Sequence, residues 1–145
     1  MSIKVKKLYP DAMLPTNGSE YAAGYDVYAY IPEGSVVIRP HETVKVGTGL
    51  AMQPPTNYWI GIYARSGLAT KQGLRPANCV GVIDPDYLGE YIVAVHNDSN
   101  EDRIVRHGDR IGQLILHPRY TMWFTEVDEL EATERGAGGF GSTGN

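Results

Sequence analysis

The chain has 145 residues, 13 Lys and Arg against 17 Asp and Glu for a net charge of -4, and a single cysteine. That length makes one domain with a core of its own and leaves no room for a second. Sparse, scattered basic residues exclude a surface that neutralises many phosphates, so no nucleic-acid partner is expected, and one cysteine excludes an internal disulfide or a cysteine metal cage.

Met1 to Lys7 carry charge but no apolar stretch of signal-peptide type, and no apolar window is long enough to cross a bilayer. The expectation is a soluble, cytoplasmic protein with no membrane partner. β-type runs recur at residues 3–9, 25–30, 36–38, 43–52, 58–64, 79–83, 91–96, 111–116 and 123–127. Spacing of about ten residues per run predicts an all-β sandwich or barrel. Helix is scarce: a short one over 66–72 stopped by Gly73, and another piece over 127–134. Cys79, inside a hydrophobic run, reads as a small buried hydrophobe. Residues 136–145 hold five glycines, too many to pack as strand or helix. The division is a β domain over 1–134 and a glycine-rich arm over 135–145.

Five stretches carry candidate chemistry. Ala23-Gly24-Tyr25-Asp26-Val27 sets an acid within a β run beside a glycine that permits close backbone approach. Ala64-Arg65-Ser66-Gly67-Leu68-Ala69 ends a strand and opens the short helix, so the Ser66 and Gly67 amides and the Arg65 guanidinium can meet a phosphate. Residues 78–91, Asn-Cys-Val-Gly-Val-Ile-Asp-Pro-Asp-Tyr-Leu-Gly-Glu-Tyr, read as a β-hairpin with acids at its tip, where Asp84 leaves the core partly shielded from water and can deprotonate one. Gly108-Asp109-Arg110-Ile111-Gly112-Gln113-Leu114-Ile115 surrounds Gln113 with aliphatic residues, making it structural glue or a ligand contact. Arg135 precedes Gly-Ala-Gly-Gly-Phe-Gly-Ser-Thr, a set of amides, hydroxyls and one aromatic that lacks the lysine and flanking strand and helix of a P-loop. Together these suit a polyphosphate carrying a flat base. His41, His96, His107 and His117 are scattered, so any divalent ion is expected on the phosphates, as magnesium commonly is.

In this order and across nearly the whole chain, the five stretches resemble the motifs of the trimeric dUTPases, which hydrolyse dUTP to dUMP and pyrophosphate. The resemblance implies a jelly-roll-like β subunit, a threefold homotrimer with active sites at its interfaces, and an arm that closes over substrate. Carried over by motif position, Asp84 would activate the water that attacks the α-phosphorus, with Asp26 supporting the site and its metal-phosphate geometry. Arg65, Ser66, Gly67 and Gln113 would hold the phosphate chain, Arg135, Ser142 and Thr143 would close on its γ end, and Gly141 would also contact substrate. Asn78 and the hairpin backbone, including Val82, would read the uracil, Tyr87 would pack against the deoxyribose, and Phe140 would stack on the base. Magnesium is the implied cofactor. Departures from the family pattern are Ala64 for proline, Val27 for leucine, Gly112 for alanine and Leu88 for arginine. The alternatives are a nucleotide-gated regulatory binding protein and a dCTP deaminase on the same scaffold, against which the complete glycine-rich arm argues.

Overall fold

The computed structural model describes residues 2–139. Its strands are β1 (Lys4–Lys7), β2 (Thr16–Asn17), β3 (Tyr25–Tyr28), β4 (Ser35–Ile38), β5 (Thr43–Gly47), β6 (Leu50–Gln53), β7 (Tyr58–Tyr63), β8 (Leu74–Pro76), β9 (Val80–Ile83), β10 (Ile92–Asn97), β11 (Arg103–Arg106) and β12 (Arg110–Pro118). The helix α1 spans Ser66–Gln72 and ends, as its sequence predicts, at Gly73, whose φ of 69° is the left-handed stop that glycine adopts without penalty.

Antiparallel pairing builds one five-stranded sheet in the order β2-β3-β12-β7-β9, a three-stranded sheet β5-β10-β8, and the pairs β1-β6 and β4-β11. Period-two alternation decides what each strand buries. In β10, Val93, Val95 and Asn97 point inward while Ile92, Ala94 and His96 point outward. Val27, Ile60, Ile62 and Leu114 from the large sheet meet Val46, Val93, Val95, Ile38 and Val105 in one core. The result is the all-β body that the strand spacing predicts, with the jelly-roll-like form that the family resemblance implies.

Five expectations are corrected. The run 43–52 is two strands in different sheets, broken where Thr48 and Gly49 turn the chain; Gly49 has φ 68° and buried Thr48 donates its hydroxyl to the Tyr91 carbonyl at 2.7 Å. Residues 79–96 do not form a β-hairpin. Both edges of β10 are taken by β5 and β8, so β9 pairs with β7 instead and the segment between them crosses from one sheet to another. Cys79 is not buried: it sits exposed in the turn before β9 with φ 61°. Finally, residues 123–127 are no strand and 127–134 no helix. Trp123 and Phe124 are 89% and 88% exposed, and β-propensity expresses packing on a half-buried surface that this segment does not find in its own chain.

Candidate active site

The first recess is built on a single rung of the large sheet. Thr16, Asp26, Gln113, Tyr63 and Val80 lie opposite one another across its five strands. Alternation along β3 sends Val27 into the core and turns Asp26 to the other face, where its carboxylate is only 15% exposed. Asp26 Oδ1 accepts a hydrogen bond from Arg65 Nε at 2.7 Å, and Oδ2 accepts one from Arg110 Nη1 at 3.2 Å. Arg65 thereby spends its Nε on Asp26, and its terminal Nη groups bond nothing among the described residues, leaving a fork suited to phosphate oxygens. Gln113 Nε2 donates to the Ala64 carbonyl at 2.9 Å. Its carbonyl oxygen turns toward Gly24, where a Cβ would lie 2.5 Å away, which is the close approach expected at that glycine.

At the start of α1 the Ser66 and Gly67 amides have no intrahelical acceptor, and no atom lies within 4 Å of where a Gly67 Cβ would be. These residues, with Gly24, Asp26, Gln113 and Lys71, line a cavity of about 520 Å³. Its chemistry is the Arg65 guanidinium, the Lys71 ammonium, free amides and one carboxylate already neutralised by Arg65 and by Arg110 from outside the cavity. Such a wall holds a polyanion.

A second recess of about 260 Å³ lies where β9 crosses toward β10, lined by Asn78, Gly81, Val82, Ile83, Asp84, Tyr87, Glu90 and Tyr91. The loop is fastened at its far end. Tyr91 is fully buried, its amide donates to Leu50 O at 2.8 Å and its hydroxyl to Met52 O at 3.3 Å, and burial pushes that hydroxyl up to about 12. Glu90 Oε1 accepts from the Gly49 amide at 2.8 Å. The Tyr87 amide donates to Asp84 O at 3.2 Å, closing a turn over Asp84-Pro85-Asp86-Tyr87. The Tyr87 ring folds back over Gly89, where a Cβ would sit 2.5 Å from the phenol oxygen, and its hydroxyl donates to Glu90 O at 3.1 Å. Asp84 projects exposed from the start of this turn rather than partly shielded as expected, because the chain leaves β9 for a surface turn, and its carboxylate bonds no group among the described residues.

The structure thus brings Asp26, Arg65, Ser66, Gly67 and Gln113 together, and separately Asn78, Val82, Asp84 and Tyr87; the two recesses share no lining residue. Arg135 lines neither and donates its Nε to Gly138 O at 2.8 Å. Phe140, Gly141, Ser142 and Thr143 lie outside the described residues. Sequence reasoning missed Arg110, Lys71, Gly89 and Glu90. Lys71 follows Gly67 by four residues, so helical spacing could have placed both on one face. Arg110 gave no comparable signal, because its reach to Asp26 depends on a register shift between Arg110 and Gly112 in the pairing of β12 with β3.

A polyanion cradle and a shaped loop recess with a free carboxylate, both carried on a jelly-roll-like β body, define a nucleotide-binding protein equipped for hydrolysis. The family model for dUTPase matches residues 11–144. Deoxyuridine 5'-triphosphate nucleotidohydrolase of Syntrophotalea carbinolica is 44% identical, covering 99% of this chain and 97% of the relative; that of Nautilia profundicola is 43% identical, covering 99% of each. Among solved structures, the Staphylococcus bacteriophage 80alpha dUTPase with dUPNHPP superposes with a TM-score of 0.84 at 28% identity, covering 99% of each chain. The chain belongs to the dUTPase family.

Proposed function

We infer that this chain hydrolyses dUTP to dUMP and pyrophosphate, in sites that three copies of the chain assemble together. The activity is that of a dUTP diphosphatase, which limits uracil incorporation into DNA and supplies dUMP for dTTP synthesis. The observation that carries the assembly is the division of the chemistry: the phosphate cradle and the loop bearing Asp84 are separate recesses of one chain. Closed threefold symmetry lets the cradle of one copy meet the loop of the next. Two features support such contacts. The outer face of the large sheet carries Trp59, Tyr63, Val82 and Ile115, and Tyr120, Met122, Trp123, Phe124 and Leu130 are largely exposed along the C-terminal segment. A surface of that apolar character is suited to burial by another protein chain.

In the assembled site, Asn78 and the backbone around Val82 read the uracil edge. Tyr87, held by Gly89 and Glu90, packs on the deoxyribose and leaves no room for a ribose hydroxyl. Asp84 accepts a proton from a water whose oxygen bonds to the α-phosphorus as the bond to the bridging oxygen breaks and pyrophosphate leaves. Arg65, Ser66, Gly67 and Gln113 hold the phosphate chain, and Asp26 acts by fixing Arg65. Residues 135–145 close as an arm, with Arg135, Gly141, Ser142 and Thr143 at the γ end and Phe140 over the base. The donor set fits a magnesium ion carried by the phosphates, since both Asp26 oxygens are engaged by arginines and Asp84 stands in the other recess. When bound, magnesium spreads the charge that develops on the phosphate oxygens. No helix of the described residues is long and apolar enough to cross a membrane, and we assign the protein to the cytoplasm.

Pyrophosphate release measured with dUTP, dCTP, dTTP and UTP in magnesium tests this reading. Cleavage confined to dUTP is expected. Comparable release from UTP would remove the deoxyribose role of Tyr87, and release from dCTP would remove the base reading by the turn at Asn78.

A further inference from the structure

We propose that Arg75 and Asp98 form a clamp behind the turn carrying Asn78 and thereby set affinity and selectivity for the uracil base. The inference rests on Asn78 being a base contact. Arg75 lies on β8 opposite His96 of β10. Its Nε and Nη2 donate to the two Asp98 oxygens at 2.6 and 3.1 Å, while Nη1 donates to Pro76 O at 3.1 Å and reaches Ala77 O at 3.5 Å. The planar fork is therefore divided between a carboxylate on one side and the backbone of the next two residues on the other. Pro76 O also accepts the Cys79 amide at 3.2 Å, the bond that closes the turn containing Asn78.

That turn needs outside support. Cys79 holds φ 61°, in the left-handed region that a non-glycine residue avoids. It belongs to neither flanking strand, and from it Asn78 reaches the recess shared with Val82, Asp84 and Tyr87. Asp98 supplies a fixed post. Its amide donates to Gly73 O at 2.8 Å. The neighbouring Asn97, fully buried, donates its side-chain amide to Ile38 O and Glu101 O at 2.9 and 2.8 Å. His96 Nε2 stands 3.4 Å from Asp98 Oδ1, and its Nδ1 is hydrogen-bonded to Thr43 Oγ1 at 2.8 Å. The Arg75 hydrogen bonds hold Asp98 below the ordinary carboxylate range, so the pair stays ionised through neutral pH. Arg75 and Asp98 side chains are 36% and 45% exposed, and an ion pair so exposed adds little to folding stability. Its consequence lies in geometry, because the guanidinium ties turn carbonyls to Asp98, the residue after β10, whose own amide is bonded to Gly73 O.

Steady-state kinetics on the full-length protein test the clamp through Arg75→Met and Asp98→Asn, with Asn78→Ala as reference. Each clamp variant is expected to raise KM for dUTP by about fivefold or more, to leave kcat within about twofold, and to lower the preference for dUTP over dCTP. Arg75→Lys should fall between, keeping the charge but losing the fork, and the double variant should be no worse than Arg75→Met alone. If KM and preference are unchanged in both clamp variants while Asn78→Ala raises KM, the turn is self-supporting and the clamp is overturned although the base reading stands. If Asn78→Ala also changes nothing, the base reading fails and takes the clamp with it. A lower melting temperature with selectivity intact would reduce the pair to a structural role and equally overturn the proposal. Asp98→Asn, close to isosteric, keeps the test usable should Arg75→Met not fold.

Discussion

The two recesses differ in how much of their organisation one chain provides. In the cradle, the carboxylate and the carboxamide are already placed: Asp26 is held by Arg65 and Arg110, and Gln113 is fastened to Ala64 O. In the loop recess, the backbone is equally fixed through Tyr91 and Glu90, yet the carboxylate of Asp84, the base we propose, stands exposed with no bonding partner among the described residues. Binding groups that must present a fixed charge pattern to phosphates are preorganised by neighbours from the same chain. A carboxylate that must take a proton from water is better left without hydrogen bonds that would hold it in its charged form.

The largest effect expected on this contrast comes from Asp84→Asn. Turnover should fall by about two or more orders of magnitude while fold and dUTP affinity remain, measured by single-turnover kinetics and nucleotide titration; near-normal turnover would remove Asp84 from the reaction. A mixing experiment then separates the recesses. Asp84→Asn and Arg65→Ala chains, each inactive alone, should recover about one quarter of the wild-type sites after co-refolding in equal amounts, because half of the cradles and half of the loops are intact and they come from different chains. No recovery would place both recesses of a working site on one chain.

Gly24→Ala sharpens the comparison from the cradle side. Its Cβ would stand 2.5 Å from Gln113 Oε1, so the Gln113 carboxamide must shift from its place beside Ala64 O. We expect about a ten- to hundredfold loss in kcat/KM, with the melting temperature little changed. The smallest effect belongs to the loop anchor. Tyr91→Phe removes a buried hydrogen bond to Met52 O and should cost about 1 kcal/mol in denaturant unfolding. The same hydroxyl gives a pH signature. It ionises near 10.0 when unfolded but only at about 12 when folded, so the unfolded chain releases a proton that the folded chain keeps. Stability from this group is complete below pH 10 and declines as pH rises toward 12, a slope that the phenylalanine variant should lack.

Much of the cradle could be read from residue order. Gln113 among aliphatics demanded a polar partner, Gly24 announced a close approach, and Gly73 marked where the helix ends. Those signals are local. What stayed hidden depends on which strands become neighbours: the hydrophobic runs on either side of Asp84 look like a hairpin until β5 and β8 occupy both edges of β10. Cys79 appeared buried because its neighbours are apolar, whereas the turn preceding β9 exposes it. The run 123–127 has strand-like composition without a strand beside it, so propensity alone misjudged it.

That C-terminal segment bears on the life of each chain before it meets another. With Trp123, Phe124 and Leu130 nearly bare, a copy outside the proposed assembly would present apolar surface of the kind that chaperones and other copies bind. Rapid encounter with sister copies near the ribosome would therefore protect the newborn polypeptide, and scarce synthesis would expose it to degradation.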